Sequence, residues 1–323
     1  MKAIRVAEFG GPEVLRLETV PEPRPGPGQV CVRLRAAGVN PVETYIRSGQ
    51  YGRLPQPPYV PGFDGAGVVV EVGEGTRRFA PGDRVYVASL RLPQGAATYA
   101  EETVVDEGEV WPLPEGIDFA QGAALGIPAG TAFRALHFVG GARPGDWLLV
   151  RGASGAVGTA AVQLAKAFGL RVVGTAGTPA GRDLALSLGA EAALPHDADD
   201  DARRHTGGHG FDLILELAAH KNLGRDLKLL APGGRVVVVG SRGPVEVNPR
   251  DLMNCGGAVL ALNLFFTPPD EYRRIHEGLG AALRAGVLRP VVGRRLPLED
   301  AARAHEAVLE PGAMGKVVLE IGE

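Results

Sequence analysis

Between Arg151 and Gly158 the chain reads R-G-A-S-G-A-V-G, a glycine-spaced loop whose chemistry would be the binding of a pyrophosphate. Gly152, Gly155 and Gly158 allow a tight turn and close backbone approach. The pattern T-A-A-V-Q-L-A-K-A-F that follows starts a helix whose first N–H groups face the loop. Unpaired amides and the positive helix end together attract phosphate oxygens. The apolar Leu148, Leu149 and Val150 before the loop end a buried strand, and Leu170 to Val173 after the helix begin another. A glycine triplet alone also serves as a packing turn; strand, loop, helix and strand in this order make a dinucleotide site the stronger reading.

The residues beyond the second strand bear on which dinucleotide. A site selective for NAD ends that strand in Asp or Glu, about 20 residues past the loop, to hold the ribose 2′-hydroxyl. Here it ends Val173-Gly174-Thr175-Ala176-Gly177-Thr178, without a carboxylate. Arg182 and His196 follow, and either could meet a 2′-phosphate. NADPH is therefore the expected cofactor. Arg182 equally fits a solvated helix position, and His196 a surface loop.

These groups need a scaffold. From about Gln121 onward strand and helix patterns alternate: 148–150, helix 156–168, 170–175, helix 181–188, a strand near Ala192, 211–217, helix 222–230 and 235–240. Such alternation predicts a parallel, doubly wound sheet, an α/β Rossmann fold. Residues 1 to about 120 instead carry short strand patterns, among them Val30 to Ala36, Gly67 to Val72, Arg84 to Ala88 and Ala100 to Val105. Gly- and Pro-rich turns separate them, predicting a mainly β, partly antiparallel barrel. The expected division is 1–122, 123–262 and a tail, 263–323, that carries a helix over 270–285 and a strand over 315–321 and returns to the first domain. The acidic run Asp197 to Asp201 reads as a solvated turn.

A chain of 323 residues is long for one core. The net charge of -3 gives no bulk attraction to nucleic acid or anionic membranes, and no apolar run reaches membrane-spanning length. Only Cys31 and Cys255 occur, excluding a disulfide framework and a cysteine-rich zinc lobe. With an N-terminus that reads as a strand, not a signal peptide, a cytoplasmic protein is expected.

Four segments in order carry a resemblance: G-V-N-P-V-E-T-Y-I-R-S-G (Gly38 to Gly49), Q-G-A-A-L-G-I-P (Gln121 to Pro128), the glycine loop, and V-V-G-S-R-G-P-V-E-V-N-P-R-D (Val238 to Asp251). Together they resemble the zeta-crystallin type of NADPH:quinone oxidoreductase in the medium-chain dehydrogenase/reductase superfamily. The resemblance implies a GroES-like catalytic domain beside the Rossmann domain, with NADPH in the cleft between them and a quinone as acceptor. It implies cofactor contacts at Tyr45, at Ser154, Gly155, Ala156 and Val157, at Gly177, His196 and Asn222, at Val239, Gly240, Ser241 and Arg242, and at Leu262, Asn263 and Leu264. A homodimer or homotetramer is also implied. Ala258 to Phe266 could extend the sheet across subunits or form a buried strand.

Zinc-dependent members of that superfamily carry ligands where this chain has Asn40, Phe63-Asp64 and Ile127-Pro128. The histidines and cysteines make up no complete ligand set, so no metal is expected, and with it no ordinary alcohol oxidation. Asp64 reads as a satisfied turn carboxylate. A quinone takes hydride readily, and no acid–base dyad is visible, so the protein's task would be orientation and exclusion of water. Tyr45 and Asn40 are the residues expected beside the nicotinamide. Tyr45 also fits a core ring, and Asn40 a turn residue ahead of Pro41. Reduction of an enone or enal double bond, with Tyr45 as acid, is the alternative reaction. With 6% aromatic residues and no basic stripe among them, nucleic-acid binding ranks low.

Overall fold

The computed structural model describes residues 1–92 and 95–322. Its second half is a six-stranded parallel sheet in the order Ala192–Leu194, Arg171–Thr175, Trp147–Arg151, Phe211–Glu216, Leu230–Val238, Ala258–Ala261. Numbered from the strand before the glycine loop, that is the 3-2-1-4-5-6 order of a Rossmann sheet. Leu148, Leu149, Val150, Val172, Val173, Ile214 and Val236 are buried, as strands covered by helices on both faces require.

The first half is mainly antiparallel. Its long strand Gln29–Val39 organises the sheet: Gln29 to Arg33 pair with Glu102–Asp106, Ala36 to Val39 with Lys316–Glu320, and the other edge with Asp64–Val72. Irregular register at Cys31/Val32 and Leu34/Ala36 bends the strand so that one segment can serve several neighbours. The last strand, Lys316–Glu320, thus completes the first domain's sheet, with Val292–Pro297 parallel at its side.

Helix Gly126–Phe133 runs on through a wider turn, Arg134–Val139, and packs between the halves; helix Pro269–Arg284 lies against it through Ile275 and Leu279. An aromatic cluster fixes that second helix to the first domain. His276 stacks on Trp111 with ring centroids 4.7 Å apart and bonds Tyr86 Oη at 3.0 Å, and Tyr272 Oη donates to the Ala88 carbonyl at 2.7 Å.

Several expectations need correction. The helix expected over 222–230 begins earlier, as Ala219–Asp226, because the chain turns directly off the fourth strand of the domain. Helices Pro41–Arg47, Gly126–Phe133 and Ala301–Ala307 and the strand Val292–Pro297 gave no clear pattern in the sequence. The acidic run is not a solvated turn: it starts the helix Asp199–His205, and Asp199 bridges Arg151 and Arg225 at 2.9 and 2.7 Å. Arg151 is buried and also pairs with Asp226 at 2.8 Å, which satisfies a charge that would be costly alone.

Candidate active site

Both halves wall a cavity of about 600 Å³. On the sheet side each glycine of the loop has a distinct task. Gly152 takes a positive φ of 79°, turning the chain off the strand. A Cβ on Gly158 would stand 2.2 Å from the Gly152 carbonyl, so only glycine lets the helix pack there. A Cβ on Gly155 would meet nothing nearer than 3.6 Å, because that side of the loop opens on the cavity. Gly155 also caps helix Ala156–Ala167 with no side-chain bond, leaving the first helical amides for an anion. These features fit the diphosphate of a dinucleotide.

The second strand ends at Thr175, where Thr175 Oγ1 and His196 Nδ1 are 2.9 Å apart. His196 Nε2 would lie 3.4 Å from a Cβ on Gly177, so ring and glycine shape one corner. Burial, then the nearby Arg151 and Lys221, holds the His196 pKa below its ordinary value. Arg182 Nη1 reaches the Ala176 carbonyl at 3.4 Å, which places a fixed cation at the same strand end. Asn222 is buried, and its Nδ2 donates to Glu216 Oε1 at 3.3 Å. Burial and the adjacent Asp226 push the Glu216 carboxyl up to about 8.

Of the residues singled out from sequence, Asn40, Tyr45, Gly155, Ala156, Val157, Val239, Gly240, Ser241, Arg242, Leu262, Asn263 and Leu264 line the cavity together. Gly152, Ser154, Gly158, Gly177, Arg182, His196 and Asn222 stand outside its lining, in the loop or beyond the strand ends. Arg242 N–H donates to His220 Nδ1 at 3.1 Å, and Asn263 Oδ1 accepts from Phe265 N–H at 3.1 Å, so local bonds fix both segments.

At the other end Asn40 caps helix Pro41–Arg47, and its side chain is fully engaged. Its Nδ2 donates to Asp64 Oδ2 at 3.0 Å and to Glu43 Oε1 at 3.3 Å, and its Oδ1 accepts from Lys316 Nζ. Lys316 Nζ also donates to Asp64 Oδ2 at 3.0 Å, and Ile127 N–H donates to Asp64 Oδ1 at 2.8 Å. Behind Asn40, Glu43 accepts from Asn40 N–H, Phe63 N–H and Tyr99 Oη, and Tyr99 meets His305 Nε2 at 3.2 Å. Burial pushes the Glu43 carboxyl up to about 7, against the opposing pull of the Lys316 ammonium. Asp64 is satisfied, as expected, but in a buried strand start and not in a turn.

Sequence reasoning missed Lys316, Tyr51, Phe265 and the loop Glu310 to Gly315, all of which line the cavity. A lysine heading the apolar run K-V-V-L and the glycines flanking P-G-A-M-G were the available signals.

The comparisons with known proteins agree with this geometry. A model described as alcohol dehydrogenase GroES-like domain matches residues 26–115, and one described as zinc-binding dehydrogenase matches 156–277. Quinone oxidoreductase of Rattus norvegicus is 48% identical over 99% of this chain and 97% of its own. The chain belongs to the zeta-crystallin-type quinone oxidoreductase family. Within the medium-chain dehydrogenase/reductase superfamily, a solved NAD-dependent alcohol dehydrogenase superposes with a TM-score of 0.91 at 33% identity, covering 100% of both chains. A mycobacterial structure complexed with NADPH gives 0.89 at 31% identity over 99% of this chain and 100% of its own. Neighbours this alike differ in the cofactor they are named for, so the choice of cofactor rests on side chains and not on the fold.

Proposed function

We propose that this chain is an NADPH:quinone oxidoreductase that works without a metal. The observation that carries the reading is the cavity itself, with a phosphate-binding glycine loop on one wall and the Asn40–Asp64–Lys316 cluster on the other. Gly155 and the start of helix Ala156–Ala167 would hold the diphosphate, and Arg182 with His196 the 2′-phosphate. When bound, NADPH supplies hydride. Tyr45, Ile127, Leu262, Leu264 and Phe265 give the cavity an apolar lining that excludes water and orients a flat acceptor. Asn40 is a positioning residue, since its amide is committed to protein partners.

We assign residues 1–122 and 263–323 to the catalytic domain and 123–262 to the cofactor domain, supported by the pairing of Lys316–Glu320 with the first domain's sheet. Strand Ala258–Ala261 pairs on one side only among the described residues, with Val259 and Phe266 exposed nearby. That edge supports a homodimer or homotetramer formed by extending the sheet. Among the described residues no helix is long and apolar enough to cross a membrane. We place the protein in the cytoplasm. Steady-state oxidation of NADPH and NADH against quinones, enones and alcohols tests the function. Turnover confined to alcohols, or to enones, would overturn it.

A further inference from the structure

The places where zinc-dependent relatives carry their ligands converge in this structure, and a protein cation stands among them. Asn40, Asp64 and Ile127 are far apart in sequence yet hydrogen-bonded to one another through the Asp64 carboxylate. The Lys316 ammonium bonds both Asn40 Oδ1 and Asp64 Oδ2. Of the five lysines in the chain this one is buried, 2% exposed, and the others are exposed. A buried ammonium is costly, and here one carboxylate and one amide oxygen take two of its three N–H donors. Among the described residues the third has no partner. Lys316 and Asn40 line the cavity, whereas Asp64 and Glu43 do not. Of the two charged partners, Lys316 and not Asp64 therefore belongs to the residues of the cavity wall.

We infer that Lys316 is an electrophilic residue for the reaction, its fixed ammonium stabilising the oxygen anion that forms on the acceptor. The inference rests on the quinone reading of this cavity. As the acceptor takes hydride, one C–H bond of the cofactor breaks and one bond to hydrogen forms on the acceptor. The electron pair displaced from the acceptor's π system comes to rest on its oxygen as a hydroquinone monoanion. A proton from solvent water then completes the hydroquinone, and Lys316 keeps its own. A preorganised charge in an apolar cavity acts most strongly where negative charge develops. The cation supplied by a metal in zinc-dependent relatives would here be supplied by a side chain held between the side-chain oxygens at positions 40 and 64.

The test uses 4-nitrophenol as an oxyanion probe, bound to the complex of the enzyme with NADP⁺, its ionisation followed by absorbance. In the wild type the bound phenol should ionise about 1–3 pH units below free 4-nitrophenol, the range for an opposite charge close by. The double variant Asp64→Asn/Lys316→Gln removes both buried charges together, so neither is left unpaired, and it should lose most of that shift. Asp64→Asn alone keeps the ammonium and should hold or enlarge the shift. Equal ionisation of bound and free probe in the wild type, no binding of the probe, or a loss of shift in Asp64→Asn would each overturn the inference. If the double variant does not fold by circular dichroism, the wild type and Asp64→Asn still decide it. NADPH–quinone turnover is measured separately. Turnover without a phenolate preference removes the cation role and leaves the quinone reading; a phenolate preference without turnover does the reverse.

Discussion

The backbone N–H of Gly315 donates to the carbonyl of Ser154 at 2.7 Å, tying the loop Glu310 to Gly315 to the glycine loop. Gly155 and Gly315 form a short parallel bridge at the same point. The nucleotide loop is thus roofed by a segment whose chain continues directly into Lys316. The glycine loop and Lys316 are joined by adjacent residues.

The glycine loop can be tested by separating binding from folding. Gly155→Val should weaken NADPH binding at least about tenfold, a loss of about 1.4 kcal/mol, with little change in melting temperature, because its side chain would fill open cavity. Gly158→Ala should instead lower stability, because its Cβ would strike the Gly152 carbonyl. Fluorescence titration and calorimetry of the pair check this. Normal NADPH affinity in Gly155→Val would make the loop a packing turn.

Selectivity for NADPH should depend on Arg182. Arg182→Ala should weaken NADPH by about ten- to a hundredfold, the value of one charge-assisted contact, and leave NADH nearly unchanged. An unaltered ratio of the two affinities would return Arg182 to the solvent. His196, whose pKa lies below the ordinary value, should contribute less.

Stability should carry the signature of Glu43. With its pKa raised from 4.5 to about 7 by burial, the folded protein pays nothing for this group where both states are protonated, below the lower value. It pays the full penalty where both are ionised, above the upper one. The stability of the wild type relative to Glu43→Gln should therefore decrease as pH rises from 4.5 to 7. Thermal unfolding across that window measures it, and a difference independent of pH would show that folding leaves the Glu43 pKa unshifted.

Activity should survive exhaustive chelation. Among the described residues no group of three or more His, Cys, Asp or Glu could hold a metal ion. Elemental analysis after dialysis against chelator should find metal-free enzyme with undiminished NADPH–quinone turnover. Stoichiometric zinc whose removal abolishes turnover would overturn that expectation.

Variants of Tyr45 should discriminate between acceptors. If the hydroxyl is no obligatory acid, Tyr45→Phe should slow quinone reduction by about tenfold or less, well under the roughly 10²–10⁴ typical of a lost general acid. Tyr45→Ala should do more damage by opening the cavity wall. Abolished turnover in Tyr45→Phe of an enone that the wild type prefers to any quinone would make the enzyme a double-bond reductase.

The sequence by itself determined the cofactor half. Its strands are buried on both faces and its helices follow at once, so apolar runs, a glycine loop and the missing carboxylate after Val173 are all local signals. It also marked Asn40, Phe63-Asp64 and Ile127-Pro128 as departures from a zinc site, because each is a substitution within a short motif. Only the tertiary structure decided which groups gather around Asp64. Lys316 lies 252 residues from its Asp64 partner, and the antiparallel pairing of Lys316–Glu320 with Ala36–Val39 brings it to the cavity. The same applies to Asp199, which reads as a solvated acid until the fold delivers Arg151 and Arg225 to it. Periodicity records which face of an element is buried, but a charge pair between distant elements leaves no periodic trace. Its partners become legible only when the sheet registers are fixed.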